Sequence, residues 1–179
     1  MEEIKLTEPT IEYANEVWAM RQELRDAGDR DAFAGCEGLE EYDTYAGWLE
    51  RLRLFSDPAT VPEGFVDASV YLAVRQEDGR VVGIIDLRHH INHPILGTWG
   101  GHIGYIVRPS ERGKGYAPQM LRLCVEKARQ RGIDRVLVTC HPENIASERT
   151  ILRCGGAYEN TVDTEGGPVK RYWIDAKIP

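Results

Sequence analysis

Apolar residues along this chain recur with two different periods, and the alternation between them predicts most of the elements. Glu3 to Thr7 reads as a short edge strand. From Pro9 and Thr10, with Thr10 as the expected N-cap, Ile11, Ala14, Val17 and Leu24 recur at helical spacing until Gly28 breaks the run. Residues 28–38 form a loop. Leu39, Tyr42, Ala46, Leu49 and Leu52 then mark a second helix to Phe55, flanked by Tyr45 and Trp48. The period drops to two over Val70–Arg75 and Val81–Arg88, on either side of Asp78-Gly79, a strong hairpin signal. Val82, Ile84 and Asp86 are assigned to one face of the second strand and Val81, Ile85 and Leu87 to the other, with Asp86 read as facing solvent.

After a loop at 89–98, a central strand reads through His102–Val107. Ile103, Tyr105 and Val107 alternate there with His102, Gly104 and Ile106. Pro109 and a glycine-bearing turn, Ser110–Lys114, lead into a helix. Leu121, Cys124, Val125 and Ala128 form its apolar face, and Lys127, Arg129, Arg131 and Gly132 close it. Ile133–Cys140 is a buried strand. Asn144–Cys154 is a helix marked by Ile145, Ile151 and Leu152 and ended by Gly155-Gly156. Ala157–Val162 and Val169–Asp175 pair across residues 163–168 as a last hairpin.

Length and composition narrow this picture. At 179 residues one domain, 1–179, is the default. Apolar content of 42% and charged content of 28% are ordinary for a globular chain. The net charge of −7 disfavours general binding to nucleic acid or anionic membranes. The start, MEEIKLTEPT, lacks a basic and then apolar leader, and no run is long enough to span a bilayer. Four cysteines without CxxC spacing favour reduced thiols, so the expected location is cytoplasmic. His89, His90 and His93 have no carboxylate at ligating spacing, and no metal is expected. Residues 26–50 carry a net −7 and residues 108–135 a net +5. The second stretch suits a polyanion and the first a cation.

The chemistry concentrates where the central strand meets its helix. Glycines at a strand-to-helix turn leave backbone N–H groups uncovered, and the helix N-terminus adds partial positive charge. Arg108, Arg112 and Lys114 add full charges. The turn is neither a Walker A loop nor a dinucleotide fingerprint, since GxxxxGK[ST] and GxGxxG are both absent. By chemistry alone it is a phosphate cradle.

Arg112-Gly113-Lys114-Gly115-Tyr116-Ala117 resembles the [RQ]-x-x-G-x-[GA] signature of the GNAT superfamily of acyl-CoA N-acyltransferases, and the element order resembles that fold over essentially the whole chain. The resemblance implies a GNAT fold: an α+β domain with a mixed, mostly antiparallel sheet of about seven strands flanked by about four helices. It also implies acetyl transfer from acetyl-CoA to a primary amine. The pyrophosphate would lie on Gly113 to Ala117, pantetheine along Ile106, Val107 and Arg108, and Asn144 would contact the cofactor. Two features depart from the family pattern. The central strand has no glutamate to act as base, and Ile151 stands where the family often has its acid tyrosine, seven residues after Asn144. His102 is the first candidate base, with Tyr105, His141 and Asp86 behind it. The acidic first half suggests a cationic acceptor, a small-molecule or peptide amine such as a polyamine, an aminoglycoside-like amine, an amino acid derivative or a protein amine. A homodimer is left open. Two other readings remain: a module that senses acetyl-CoA without turnover, and a site for another nucleotide.

Overall fold

The computed structural model describes residues 2–177. Among them are seven strands and four α-helices, in the order β1 (Ile4–Thr7), α1 (Ala14–Ala27), α2 (Tyr45–Phe55), β2 (Ala68–Arg75), β3 (Val81–Arg88), β4 (Ile103–Val107), α3 (Tyr116–Gln130), β5 (Arg135–Cys140), α4 (Ile145–Arg153), β6 (Ala157–Thr164) and β7 (Gly167–Asp175). Every paired strand is antiparallel. Strands β1-β2-β3-β4 form one sheet and β5-β7-β6 a second. The single sheet expected from sequence is therefore split between β4 and β5.

Strands β2 and β3 are buried on both faces. Val70, Leu72, Val74, Val81 and Ile84 pack beneath α1 and α2, and Tyr71, Ala73, Val82, Ile85 and Leu87 pack against α3. Each large aliphatic side chain withdrawn from water contributes about 1.5–3 kcal/mol. The ladder slips at Ala73/Val74. Strict alternation fails there, so Val82 shares a face with Ile85 and Val81 with Ile84, against the sequence-based assignment. Asp86 lies under the 28–38 loop, 1% exposed, and does not face solvent as its charge suggested. No helix among the described residues is long and apolar enough to cross a membrane.

The helices also depart from their patterns in explicable ways. Residues 11–13 form a tight turn ahead of α1, the Thr10 side chain caps nothing, and Ile11 is 63% exposed. Met20 and Arg21 join Val17 and Leu24 on the buried face. Arg21 donates from Nε to Leu39 O at 3.1 Å and from Nη2 to Tyr42 O at 2.7 Å. Residues 39–41 form a separate turn and Tyr42 is extended, so α2 begins at Tyr45, with Thr44 Oγ1 accepting the Gly47 N–H at 3.1 Å. Tyr45, Trp48 and Phe55 form its buried face while Ala46 is exposed. In α4 only Ile151 of the three apolar markers is buried. The last hairpin extends to Thr164 and Gly167, whose turn is closed by the Thr164 hydroxyl.

Candidate active site

Between β4 and β5 the two sheets part, and a cleft of about 920 Å³ opens there. The apex is a clasp at His102. Its N–H donates to Leu137 O at 2.8 Å, and the Leu137 N–H donates back to His102 Nδ1 at 2.9 Å. The ring is 5% exposed and does not line the cleft. Burial, with Arg88 and His90 nearby, pushes its pKa down to about 4. His102, the first candidate base, thus lies outside the cleft lining and fastens β4 to Leu137 where the strands diverge.

Beyond the clasp, among the described residues, the backbone ladder of β4 runs only to β3, and Val107 O accepts instead from Arg112 Nε at 3.3 Å. Arg88 N–H donates to His102 O and Arg108 N–H to Val82 O, so even-numbered residues of β4 face β3. The alternation turns the backbone groups of Tyr105 and Val107 toward the cleft. At Gly104 the ladder is altered: its N–H donates to Asp86 Oδ1 at 2.7 Å. Asp86 Oδ2 lies 3.0 Å from Arg88 Nε without forming an aligned hydrogen bond. Burial raises the Asp86 pKa, and Arg88 opposes that rise.

The glycine turn lines the same cleft. Gly113 and Gly115 have φ of 78° and 83°, a region that favours glycine, and no side chain caps α3. Gly113, Gly115, Tyr116 and Ala117 line the cleft, but the Tyr116 ring is buried, with its hydroxyl held by Glu2 and Arg75. Tyr116 therefore presents backbone. The expected cations are arranged differently. Arg108 is buried and bonded to Glu23 at 2.7 Å and Glu16 at 2.9 Å on α1, and its N–H points to β3, so it faces away from the cleft. Lys114 is 2.8 Å from the buried Glu111, which also holds Arg80 and Arg75, and Lys114 does not line the cleft. Arg112 does line it, with Nη1 2.7 Å from Asp29.

Three further candidates converge on the cleft. Asn144 caps α4, its Oδ1 accepting the Ser147 N–H at 3.1 Å. That leaves its amide NH₂ as a donor. Tyr105 O–H lies 2.8 Å from Ser147 Oγ, and burial pushes the phenol up to about 12. His141 Nδ1 lies 3.1 Å from Pro168 O. A carbonyl only accepts, so Nδ1 carries a proton, and Nε2 is the acceptor whenever the ring is neutral.

The 28–38 loop forms the opposite wall, which sequence reasoning read only as acidic. A Cβ on Gly35 would lie 2.2 Å from Gly104 O, so the two backbones are in direct contact. Trp48 Nε1 donates to Cys36 O at 2.9 Å, fixing the loop to α2. Asp29 reaches Arg112 on one side, and Arg30 reaches Glu143 at 2.6 Å on the other. Asp31 also lines the cleft, with no ion-pair partner among the described residues, and its charge contributes to raising the Cys140 thiol pKa, after burial and Glu148. The role of Gly35 and the burial of Asp86, a weaker base candidate expected to face solvent, depend on contacts distant in sequence; the three glycines of the loop were a hint to the first.

The family of the acetyltransferase (GNAT) domain matches residues 43–157. An uncharacterized N-acetyltransferase, YnaD of Bacillus subtilis (strain 168), is 29% identical over 68 residues, a match spanning 37% of this chain and 40% of that relative. Among solved structures, the microcin C7 self-immunity acetyltransferase MccE, in complex with acetyl-CoA and AMP, superposes with a TM-score of 0.67 at 18% identity, covering 98% of this chain and 93% of that one. A chimera of the Vibrio cholerae spermidine N-acetyltransferase SpeG and hSSAT gives 0.66 at 15% identity over 98% and 97%. The aminoglycoside acetyltransferase AAC(6')-Ib, in complex with coenzyme A and kanamycin, gives 0.64 at 16% identity over 98% and 96%. At these identities the structures show the fold.

Proposed function

Because the chain belongs to the GNAT acetyltransferase family, enzymes that use acetyl-CoA, we propose that it transfers the acetyl group to the primary amine of a cationic acceptor by direct attack. The observation that carries this reading is the unpaired edge of β4, which opens into a cleft ending at the uncapped glycine turn.

In this reading the pyrophosphate lies on the N–H groups of Gly113 to Ala117, and Arg112 exchanges Asp29 for phosphate. Asn144 donates its amide to the cofactor. Pantetheine extends along β4 as an added strand, bonding to Val107 and Tyr105. A backbone N–H there stabilises the oxyanion that forms on the thioester carbonyl. His141 Nε2 takes the proton of the attacking amine. Tyr105, weakly acidic and already hydrogen-bonded to Ser147, protonates the departing thiolate. It supplies from β4 the hydroxyl that Ile151, buried in the core, does not. Asp31 holds the positive charge of the acceptor, whose class accords with the spermidine and aminoglycoside acetyltransferases of similar fold.

The test is release of free CoA from acetyl-CoA across a panel containing a polyamine, an aminoglycoside, an amino acid amide and a lysine peptide. At least one amine accelerates release saturably, and Asp31→Asn raises KM for the amine while leaving that for acetyl-CoA unchanged. His141→Ala lowers kcat by roughly 100-fold, the low end for a positioned base. Release that no amine accelerates sinks the reading for that panel.

A further inference from the structure

A second reactive constellation lies at the other end of the first sheet, where α3 ends. Asp67 precedes β2, Ser69 lies on it, and His89 follows β3. The ladder pairs Ala68 with Arg88 and Ser69 with Leu87, and the His89 N–H donates to Asp67 O at 2.9 Å. Strand register alone therefore brings the three side chains together.

His89 Nδ1 is hydrogen-bonded to an Asp67 carboxylate oxygen, and His89 Nε2 lies 2.8 Å from Ser69 Oγ. Arg131 Nη2 donates to the same Oγ at 3.0 Å. His90 Nε2 is 3.7 Å from the other Asp67 oxygen, too far for a hydrogen bond. These partners fix the protons. A carboxylate accepts, so Nδ1 carries hydrogen and Nε2 is a lone pair. A guanidinium donates, so Ser69 Oγ accepts from Arg131 and directs its own proton at Nε2. Burial moves His89 below its ordinary pKa against the pull of Asp67, so the ring is neutral near pH 7. Asp67 is buried, Ser69 is half-buried and Arg131 is exposed, which leaves the hydroxyl approachable from the solvent side.

A buried carboxylate that orients an imidazole, and an imidazole that accepts from a serine hydroxyl, are the parts of an activated nucleophile, recognised by role and not by chain order. Acetyl transfer by direct attack has no use for them. The intervening 15 residues of α3 place them about 22 Å from the glycine turn. We propose that Ser69, His89 and Asp67 form a second catalytic site that hydrolyses small acyl esters through an acyl-Ser69 intermediate.

In the first step Ser69 Oγ bonds to the ester carbonyl carbon and its proton passes to His89 Nε2. The oxyanion forms beside Arg131. The bond from carbon to the leaving oxygen then breaks, and His89 returns the proton to that oxygen, releasing the alcohol. Water repeats the sequence on acyl-Ser69, giving the carboxylic acid and free serine. The sum is ester plus water to acid plus alcohol.

The experiment uses the full chain, a fluorophosphonate probe with peptide mapping, and p-nitrophenyl acetate as the reporter ester. The probe labels Ser69 stoichiometrically, with saturating CoA present or absent. Ser69→Ala abolishes labelling and lowers ester hydrolysis to the rate of unactivated surface groups. Asp67→Asn, which disturbs the tautomer, slows labelling by roughly 100-fold at an unchanged melting temperature. A wild-type protein that is unlabelled, or labelled elsewhere than Ser69, overturns the proposal whatever the variants do. So does a folded Ser69→Ala variant that hydrolyses the ester at the wild-type rate.

Discussion

Strands β2 and β3 lie side by side within one sheet, whereas β4 and β5 stand on either side of the split between the two sheets. The β2–β3 ladder runs from Ala68↔Arg88 to Val74↔Val81 and is apolar on both faces. Strands β4 and β5 are fastened at His102 and then diverge, leaving the backbone of Tyr105 and Val107 facing the cleft. The closed junction supplies stability. The open one holds backbone groups in reserve, which a chain tolerates only where water or another molecule meets them. In this fold a missing ladder is a stronger pointer to the site than any single side chain.

The comparison breaks first on the closed side. Leu87→Ala removes a fully buried side chain between β3 and α3 and lowers stability by about 2–5 kcal/mol in denaturant titration. The KM for acetyl-CoA in the fraction that remains folded is unchanged, because the residue does not line the cleft. An equal loss of stability with a raised KM would show that the two junctions are not separable.

Next comes the fastener. His102→Ala leaves the Leu137 N–H without its acceptor and costs about 1–3 kcal/mol. Unlike Leu87→Ala, it also raises the KM for acetyl-CoA by widening the apex. The same residue gives the protein an acid sensitivity. The folded ring titrates near 4 and an unfolded histidine near 6.5, so between these values the unfolded chain binds more protons. The contribution is complete above about pH 6.5 and is lost as pH falls toward 4. Melting temperature therefore declines across that window, and less steeply in His102→Ala. Parallel declines in the two proteins would exclude His102 as the cause.

The smallest effect lies at the mouth. A Cβ on Gly113 meets no atom within 4 Å, so Gly113→Ala carries only the strain of its positive φ, about 1–2 kcal/mol. Its signature is a fall in CoA affinity out of proportion to the small shift in melting, read by calorimetric titration. Unchanged CoA affinity would remove the glycine turn from the phosphate site.

Much of this was legible in the residues. Val81–Arg88, the Asp78-Gly79 hairpin and α3 with its glycine turn appear where local pattern put them, because each depends on neighbours within a few positions. What sequence missed depends on partners far along the chain. Asp86 read as solvent-facing because it is a carboxylate, and only the loop carrying Gly35 buries it. His102 read as a base because it is an imidazole in the central strand, and only Leu137, 35 residues later, gives it another use. Arg108 counted as a phosphate ligand until α1 supplied Glu16 and Glu23. Residue type showed what chemistry was available, and long-range contacts decided where it was spent.

The contact between Gly35 and Gly104 also bears on redesign of this protein. If the 28–38 loop meets the acceptor, as proposed, it is the natural segment to exchange for others. A transplanted segment will seat on β4 only if it carries, opposite Gly104, a residue with no side chain in a positive-φ conformation. Grafts chosen for their polar residues alone will ride high on the strand and leave the pocket unwalled. A library that fixes this one glycine and varies the positions around it keeps the scaffold's shape while sampling acceptors.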